Sequence, residues 1–133
     1  MRAKLSTGVK ELLDDPNLVH VATLMRDGSP QVTPVWVDVD GDHIRINSAE
    51  GRTKVKNIRR DPRVAISVTA PSGYPSAYIR GRAVELTHQG ADEHIDAPAK
   101  KYMGVDKYPL HRADQQRVTI IIEPEHVSSM RAD

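Results

Sequence analysis

Apolar residues along this chain follow two periods in alternation, and each change of period marks a new element. Val9, Leu12 and Leu13 recur at i, i+3 and i+4, which is one face of a helix. Pro16 closes that pattern because it has no amide proton to give a helix interior. The spacing predicts a helix over 6–14. From 18 to 25 nearly every residue is apolar or β-branched, the pattern of a strand covered on both faces. Asp27-Gly28 follows, a dipeptide that tolerates the positive φ of a tight hairpin. The return strand is 31–37, where Pro34 cannot donate a ladder hydrogen bond and so marks an edge or a bulge. A second turn, Asp40-Gly41-Asp42, leads to a strand over 43–48 in which Ile44 and Ile46 alternate with polar residues. These first three strands read as a meander.

The remaining chain alternates in the same way. Val55 and Ile58 lie three apart and Pro62 supplies a stop, which predicts a short helix over 53–60. Apolar and polar residues alternate over 63–69. A turn rich in Pro, Gly and Ser then opens a long strand over 76–87, with Gly81 as a bend or bulge. The stretch 90–103 is helix-like but is interrupted at Pro98, and Gly104 suits a helix C-terminal cap. Residues 105–115 are polar and irregular. The strand 117–123 carries the apolar run Ile120-Ile121-Ile122. Six strands joined mainly by tight turns, with a few short helices, predict a mainly β fold, an antiparallel barrel. So small a barrel is filled by its own side chains, which places any ligand site outside it or where two chains meet.

Composition narrows the picture. At 133 residues the chain suits one domain, and no Pro/Gly/Ser linker divides it, so 1–133 reads as a single unit. It has no cysteine, which excludes a disulfide scaffold, a thiolate metal site and a cysteine nucleophile. Its six histidines are scattered without a helical metal spacing, and no metal is expected. A net charge of +1 is too balanced for nucleic-acid binding by overall charge. No apolar run approaches a membrane span, and the first residues lack the apolar stretch of a signal peptide; both predict a cytoplasmic protein away from membranes.

Charge is nonetheless clustered. Arg52, Lys54, Lys56, Arg59, Arg60 and Arg63 stand against one acid, Asp61. Arg52 and Lys54 open the predicted helix, where backbone amides already carry partial positive charge, and Thr53 adds a hydroxyl between them. That combination suits a phosphate; the plainer alternative is a basic face left in water. Arg59, Arg60 and Arg63 could hold a second anionic group. No aromatic residue lies between Trp36 and Tyr74, so the cluster lacks a base-stacking platform. No nucleophile elbow, P-loop or Gly-rich dinucleotide fingerprint is present. Tyr78 and Tyr102 could in principle give a proton, but nothing singles out a catalytic set. An enzyme of this composition would borrow its chemistry from a cofactor.

Three stretches carry a resemblance: Gly28-Ser29-Pro30-Gln31-Val32-Thr33-Pro34-Val35-Trp36, then Arg45-Ile46-Asn47-Ser48, then the segment from Arg52 to Val64. Together they resemble the pyridoxamine 5′-phosphate oxidase-like split β-barrel flavoproteins, most closely the F420-dependent branch (flavin/deazaflavin oxidoreductase B). The resemblance implies a six-stranded split β-barrel and a homodimer with cofactors in clefts at its interface. It implies that Arg52 and Lys54 grip the cofactor phosphate, with Asn47 and Ser48 against the same groove. Pro34, Val35 and Trp36 match the strand along the ring system, and Ala77 and Tyr78 a neighbouring strand. Lys56 and Asn57 are implied as outer contacts. The implied activity is hydride transfer between F420 and a small organic substrate. FMN in the same fold, or an anion-binding module without catalysis, are the alternatives.

Overall fold

A computed structural model describes residues 2–133. In chain order the elements are α1 (Thr7–Asp14), β1 (Val19–Leu24), β2 (Pro30–Val35), β3 (Val37–Asp40), β4 (His43–Ala49), α2 (Thr53–Arg60), β5 (Arg63–Thr69), β6 (Ser76–Thr87), α3 (Ala91–His94), α4 (Asp96–Met103) and β7 (Arg117–Met130). The strands join into one curled antiparallel sheet in the order β2-β1-β5-β6-β7-β4-β3. Among the described residues the sheet has seven strands where the periodicity predicts six.

The extra strand comes from a break at Trp36. Val35 and Val37 are both buried and apolar, so the sequence runs through the break without a signal. On one side of Trp36, β2 pairs with β1, Val35 lying opposite Val19. On the other side, β3 pairs with β4, Val37 lying opposite Ile46. The expected meander is therefore absent: the strand at 43–48 pairs with β3 and β7, not with the return strand. β2 and β3 are the two ends of the sheet order, and Trp36 alone links them along the chain. Pro34 sits on the end strand β2, where its missing N–H costs no ladder bond.

Other boundaries shift for local reasons. β1 is not covered on both faces: Val19 and Val21 are buried while His20 is exposed. The last strand runs on past 123 to Met130, because Pro124 falls at a bulge opposite Gly81, where the register skips from Arg80–His126 to Gly81–Pro124. The helical stretch divides at Ile95 rather than at Pro98. Pro98 lies in the first turn of α4, where an amide has no intrahelical acceptor to lose.

One apolar core fills the sheet's concave side. Ile44, Ile46, Ile79, Ile120 and Ile122 are almost wholly buried there, with Val19 and Val21. Each such side chain contributes about 1.5–3 kcal/mol of burial. α1 closes one opening with Val9, Leu12 and Leu13, its start fixed by the Val9 amide donating to Ser6 Oγ at 3.2 Å. α2 covers another with Val55 and Ile58. The interior is full, so a ligand must bind outside it.

Candidate functional site

A cleft of about 460 Å³ opens on the outside of the barrel. Its floor is built by β4, which ends in Asn47, Ser48 and Ala49. The chain then turns through Gly51, whose φ of 90° a side chain would strain, into Arg52 and α2. Arg52 is the N-cap of that helix and makes no side-chain capping bond. Lys54 follows in the first turn. The register of β4 against β7 sets Ala49 opposite Arg117, which brings a third cation to the same place. One wall comes from Pro34, Val35 and Trp36, where β2 ends. The facing wall comes from Ile95, Met103, Tyr108 and Leu110, with Leu18 at the margin.

Arg52, Lys54 and Arg117 have no carboxylate within ion-pair distance among the described residues. Burial pushes the Lys54 ammonium below its ordinary pKa, and the charges of Arg52 and Arg117 push it further. Burial likewise lowers Arg117, whose side chain is nearly covered. Three cations that repel one another in a half-dry cleft make an incomplete site, and an anion completes it. The first-turn amides of α2 add partial positive charge. Ser48 Oγ is buried beside these cations with no hydrogen-bond partner. An unsatisfied buried hydroxyl costs roughly 1–3 kcal/mol, which a ligand acceptor would recover. The donor set therefore fits a phosphate.

Away from the cations the cleft is lined by apolar and aromatic side chains, Trp36 and Tyr108 among them. Trp36 stacks on Tyr102 with ring centroids 5.4 Å apart and planes 6° apart. Tyr108 meets Trp36 edge-on at 6.0 Å. Tyr102 donates its hydroxyl to the Asn17 carbonyl at 3.0 Å, and burial raises its pKa, so it is a packing group here rather than an acid. Lys101 donates to the Leu13 and Val37 carbonyls and ties the helix beneath the stack. The cleft suits a ligand with a planar ring system joined to a phosphate.

Pro34, Val35, Trp36, Asn47, Ser48, Arg52 and Lys54 all line this one cleft. Thr53 and Lys56 are exposed on α2 and lie outside its lining. Asn57 faces inward: its amide donates to Thr23 Oγ1 at 3.0 Å and accepts from Arg60 at 2.9 Å, so it fastens α2 to β1. Ala77 is fully buried in the core. Tyr78 lies on the outer face of β6, beside His20 and Val32 and away from the cleft. The outer arginines are engaged too. Arg59 pairs with Glu50, Arg63 with Asp61, and Arg60 donates to the Leu24 carbonyl. Arg117 and Tyr108 are cleft residues that the sequence reading passes over. Arg117 opens an apolar strand far along the chain from Arg52, and only the strand pairing joins them.

A curled antiparallel sheet with a cationic, aromatic-walled cleft on its outside has the architecture of a split β-barrel. The chain belongs to the pyridoxamine 5′-phosphate oxidase family, whose sequence pattern matches residues 5–131. Among solved structures it is similar to an F420 reductase at 30% identity, covering 93% of this chain and 98% of that one, with a TM-score of 0.82. It is also similar to a conserved hypothetical protein from Mycobacterium tuberculosis at 20% identity, covering 98% of this chain and 87% of the other, with a TM-score of 0.78. The second likeness concerns the fold alone. Family and fold together make the chain a member of an oxidoreductase family.

Proposed function

We propose that this protein is an F420-dependent oxidoreductase acting on a small organic substrate. The observation that carries the reading is the trio of Arg52, Lys54 and Arg117, without an ion-pair partner among the described residues, around the unpartnered Ser48 hydroxyl, beside the wall residue Trp36, which Tyr102 backs by stacking. In this reading the trio and Ser48 hold the phosphate, and Pro34, Val35 and Trp36 lie along the ring. F420, when bound, supplies a two-electron hydride chemistry that no side chain of this protein offers. The protein's part is to orient, to exclude water with Ile95, Met103 and Leu110, and to present the substrate at close range. The likeness to an F420 reductase supports this choice. The proposal includes a homodimer with the cleft completed at its interface, in the cytoplasm.

FMN is the second reading, and one observation favours it. Arg59, Arg60 and Arg63, which could have gripped a longer acidic ligand, are each engaged within the protein. A single phosphate then accounts for the free cations. Fluorescence titration of the purified protein with F420 and with FMN decides between them. The expected result is micromolar or tighter F420 binding and weaker FMN binding; the reverse order assigns the cleft to FMN. Replacing both Arg52 and Lys54 by Ala should weaken the bound cofactor by roughly 2–4 kcal/mol, since each charge-assisted phosphate bond is worth about 1.5–3 kcal/mol. Unchanged affinity in that double variant would put the phosphate elsewhere.

A further inference from the structure

His94 ends α3 directly behind the cleft, with its side chain 8% exposed. Its Nε2 lies 3.1 Å from both carboxylate oxygens of Asp38 on β3. Its Nδ1 lies 3.2 Å from Asn47 Nδ2 and 3.4 Å from Thr119 Oγ1. Asn47 Nδ2 also donates to the Ala91 carbonyl at 2.8 Å, and Asn47 Oδ1 accepts from Arg117 Nε at 2.6 Å. These partners leave one proton arrangement. The Ala91 carbonyl can only accept and the Arg117 Nε can only donate, so the Asn47 amide cannot turn over. Its N–H must point at His94 Nδ1, which must then be the unprotonated nitrogen. Nε2 carries the proton and donates to Asp38. Arg45 Nε and Nη2 hold the same carboxylate at 2.9 and 2.8 Å.

A second proton on His94 breaks this chain. It could only sit on Nδ1, where it would meet the N–H of Asn47 head-on. Thr119 Oγ1, at 3.4 Å, lies beyond a good acceptor distance for that proton, so full relief comes from rotation of the amide, which takes Oδ1 away from Arg117. Arg117 would keep Gln115 Oε1, at 3.0 Å, as its neutral acceptor and would lose its fixed direction. The other charged or titratable groups that face this cluster are Lys101, whose charge acts on Asp38, Asp92 on His94's own helix and Arg52, whose charges act on Arg117, and Tyr108, whose ring centre lies 5.3 Å from the Arg117 guanidinium. None of them is hydrogen-bonded to Asn47.

We infer that Asp38 and His94 are positioning residues that fix Asn47, and through it Arg117, so that the cleft's grip on an anion loosens when His94 takes up a second proton. This rests on the cofactor reading of the cleft, and it adds a regulation that reading does not contain.

Long-range proton–nitrogen NMR on the labelled, full-length protein tests the chain without any ligand. At about pH 8 His94 should be the Nε2–H tautomer and Arg117 Nε–H should give a sharp, slowly exchanging signal. On acidification that signal should be lost in the same step that protonates His94. The variant Asp38→Asn removes the negative neighbour and should move both steps together to lower pH. The variant His94→Asn keeps an acceptor near the Nδ1 position but carries no titrating proton, so its Arg117 signal should persist at low pH. F420 affinity should fall about tenfold more on acidification in wild type than in His94→Asn, the worth of one charged hydrogen bond. An Nδ1–H tautomer, or an Arg117 signal indifferent to His94 protonation, overturns the inference. The coupled NMR step with no F420 binding at any pH leaves the positioning chain standing and removes the cofactor reading instead.

Discussion

Lys54 shows how one side chain can cost stability at the proposed binding site. Its ammonium is half-buried, and burial first, then Arg52 and Arg117, lower its pKa. The charged form is thus worse off in the folded chain than in the unfolded one. That penalty is full below the lowered pKa and disappears as pH rises past the ordinary value of 10.5, where both states are neutral. Replacing Lys54 by Met keeps the stem and removes the charge. The ligand-free variant should melt at the same temperature as wild type or above it near pH 7, and the gap should close towards alkaline pH. Its cofactor affinity should fall, the trade that a site built for a ligand makes. Calorimetry across pH, paired with F420 titration, reads both. A Lys54→Met protein that is less stable and binds equally well would remove Lys54 from the site.

Elements were legible where period and punctuation agree. Val9, Leu12 and Leu13 with Pro16 give α1, and Val55, Ile58 and Pro62 give α2, each close to its observed span. Ile44 and Ile46 mark β4 for the same reason. The failures lie where two signals conflict. Trp36 interrupts the ladder inside an unbroken apolar run, so nothing local separates β2 from β3. Pro124 looks like a strand end, but a bulge absorbs it and β7 continues. The expected bulge at Gly81 is present on the other side of the same pair. For the site, the Arg52–Lys54 loop was readable from charge at a helix start, whereas Arg117, Tyr108 and Ile95 join it only through tertiary pairing. Asn57, which the resemblance implies as an outer cofactor contact, lies buried and fastens α2 to β1, since polarity does not say which way a helix face turns. Gly81 gives a direct test of the bulge. A Cβ there would lie 2.3 Å from the Glu123 carbonyl oxygen and 3.0 Å from Pro124 Cα, and both are backbone. Gly81→Ala should therefore destabilise by about 1–3 kcal/mol in denaturant unfolding, as overpacking does. A neutral effect would mean that β6 and β7 can part at that point freely.

At the scale of the whole molecule, the sheet leaves its β1, β2, β5 and β6 outer face bare. Val32 is 62% exposed and Tyr78 45% exposed on that face, beside His20 and Ala22. Exposed apolar groups gathered on one face of a small domain point to a covering partner, and they support the proposed homodimer. Light scattering should return a mass near twice 14.8 kDa. Val32→Lys should shift the population towards single subunits while leaving the fold intact by circular dichroism. A single-subunit mass for the wild type would end the dimer proposal. No helix among the described residues is long and apolar enough to cross a membrane.

The joint at Trp36 ties these scales together. The residues that carry the polypeptide from one border of the sheet to the other are also a wall of the cleft. Whatever settles against Trp36 therefore also braces the barrel's seam, because binding to the closed form draws population away from any form in which the seam gapes. Amide hydrogens of Val35 and Val37 should exchange more slowly once the cleft is filled. Wear at the seam and loss of ligand would then be two descriptions of one event.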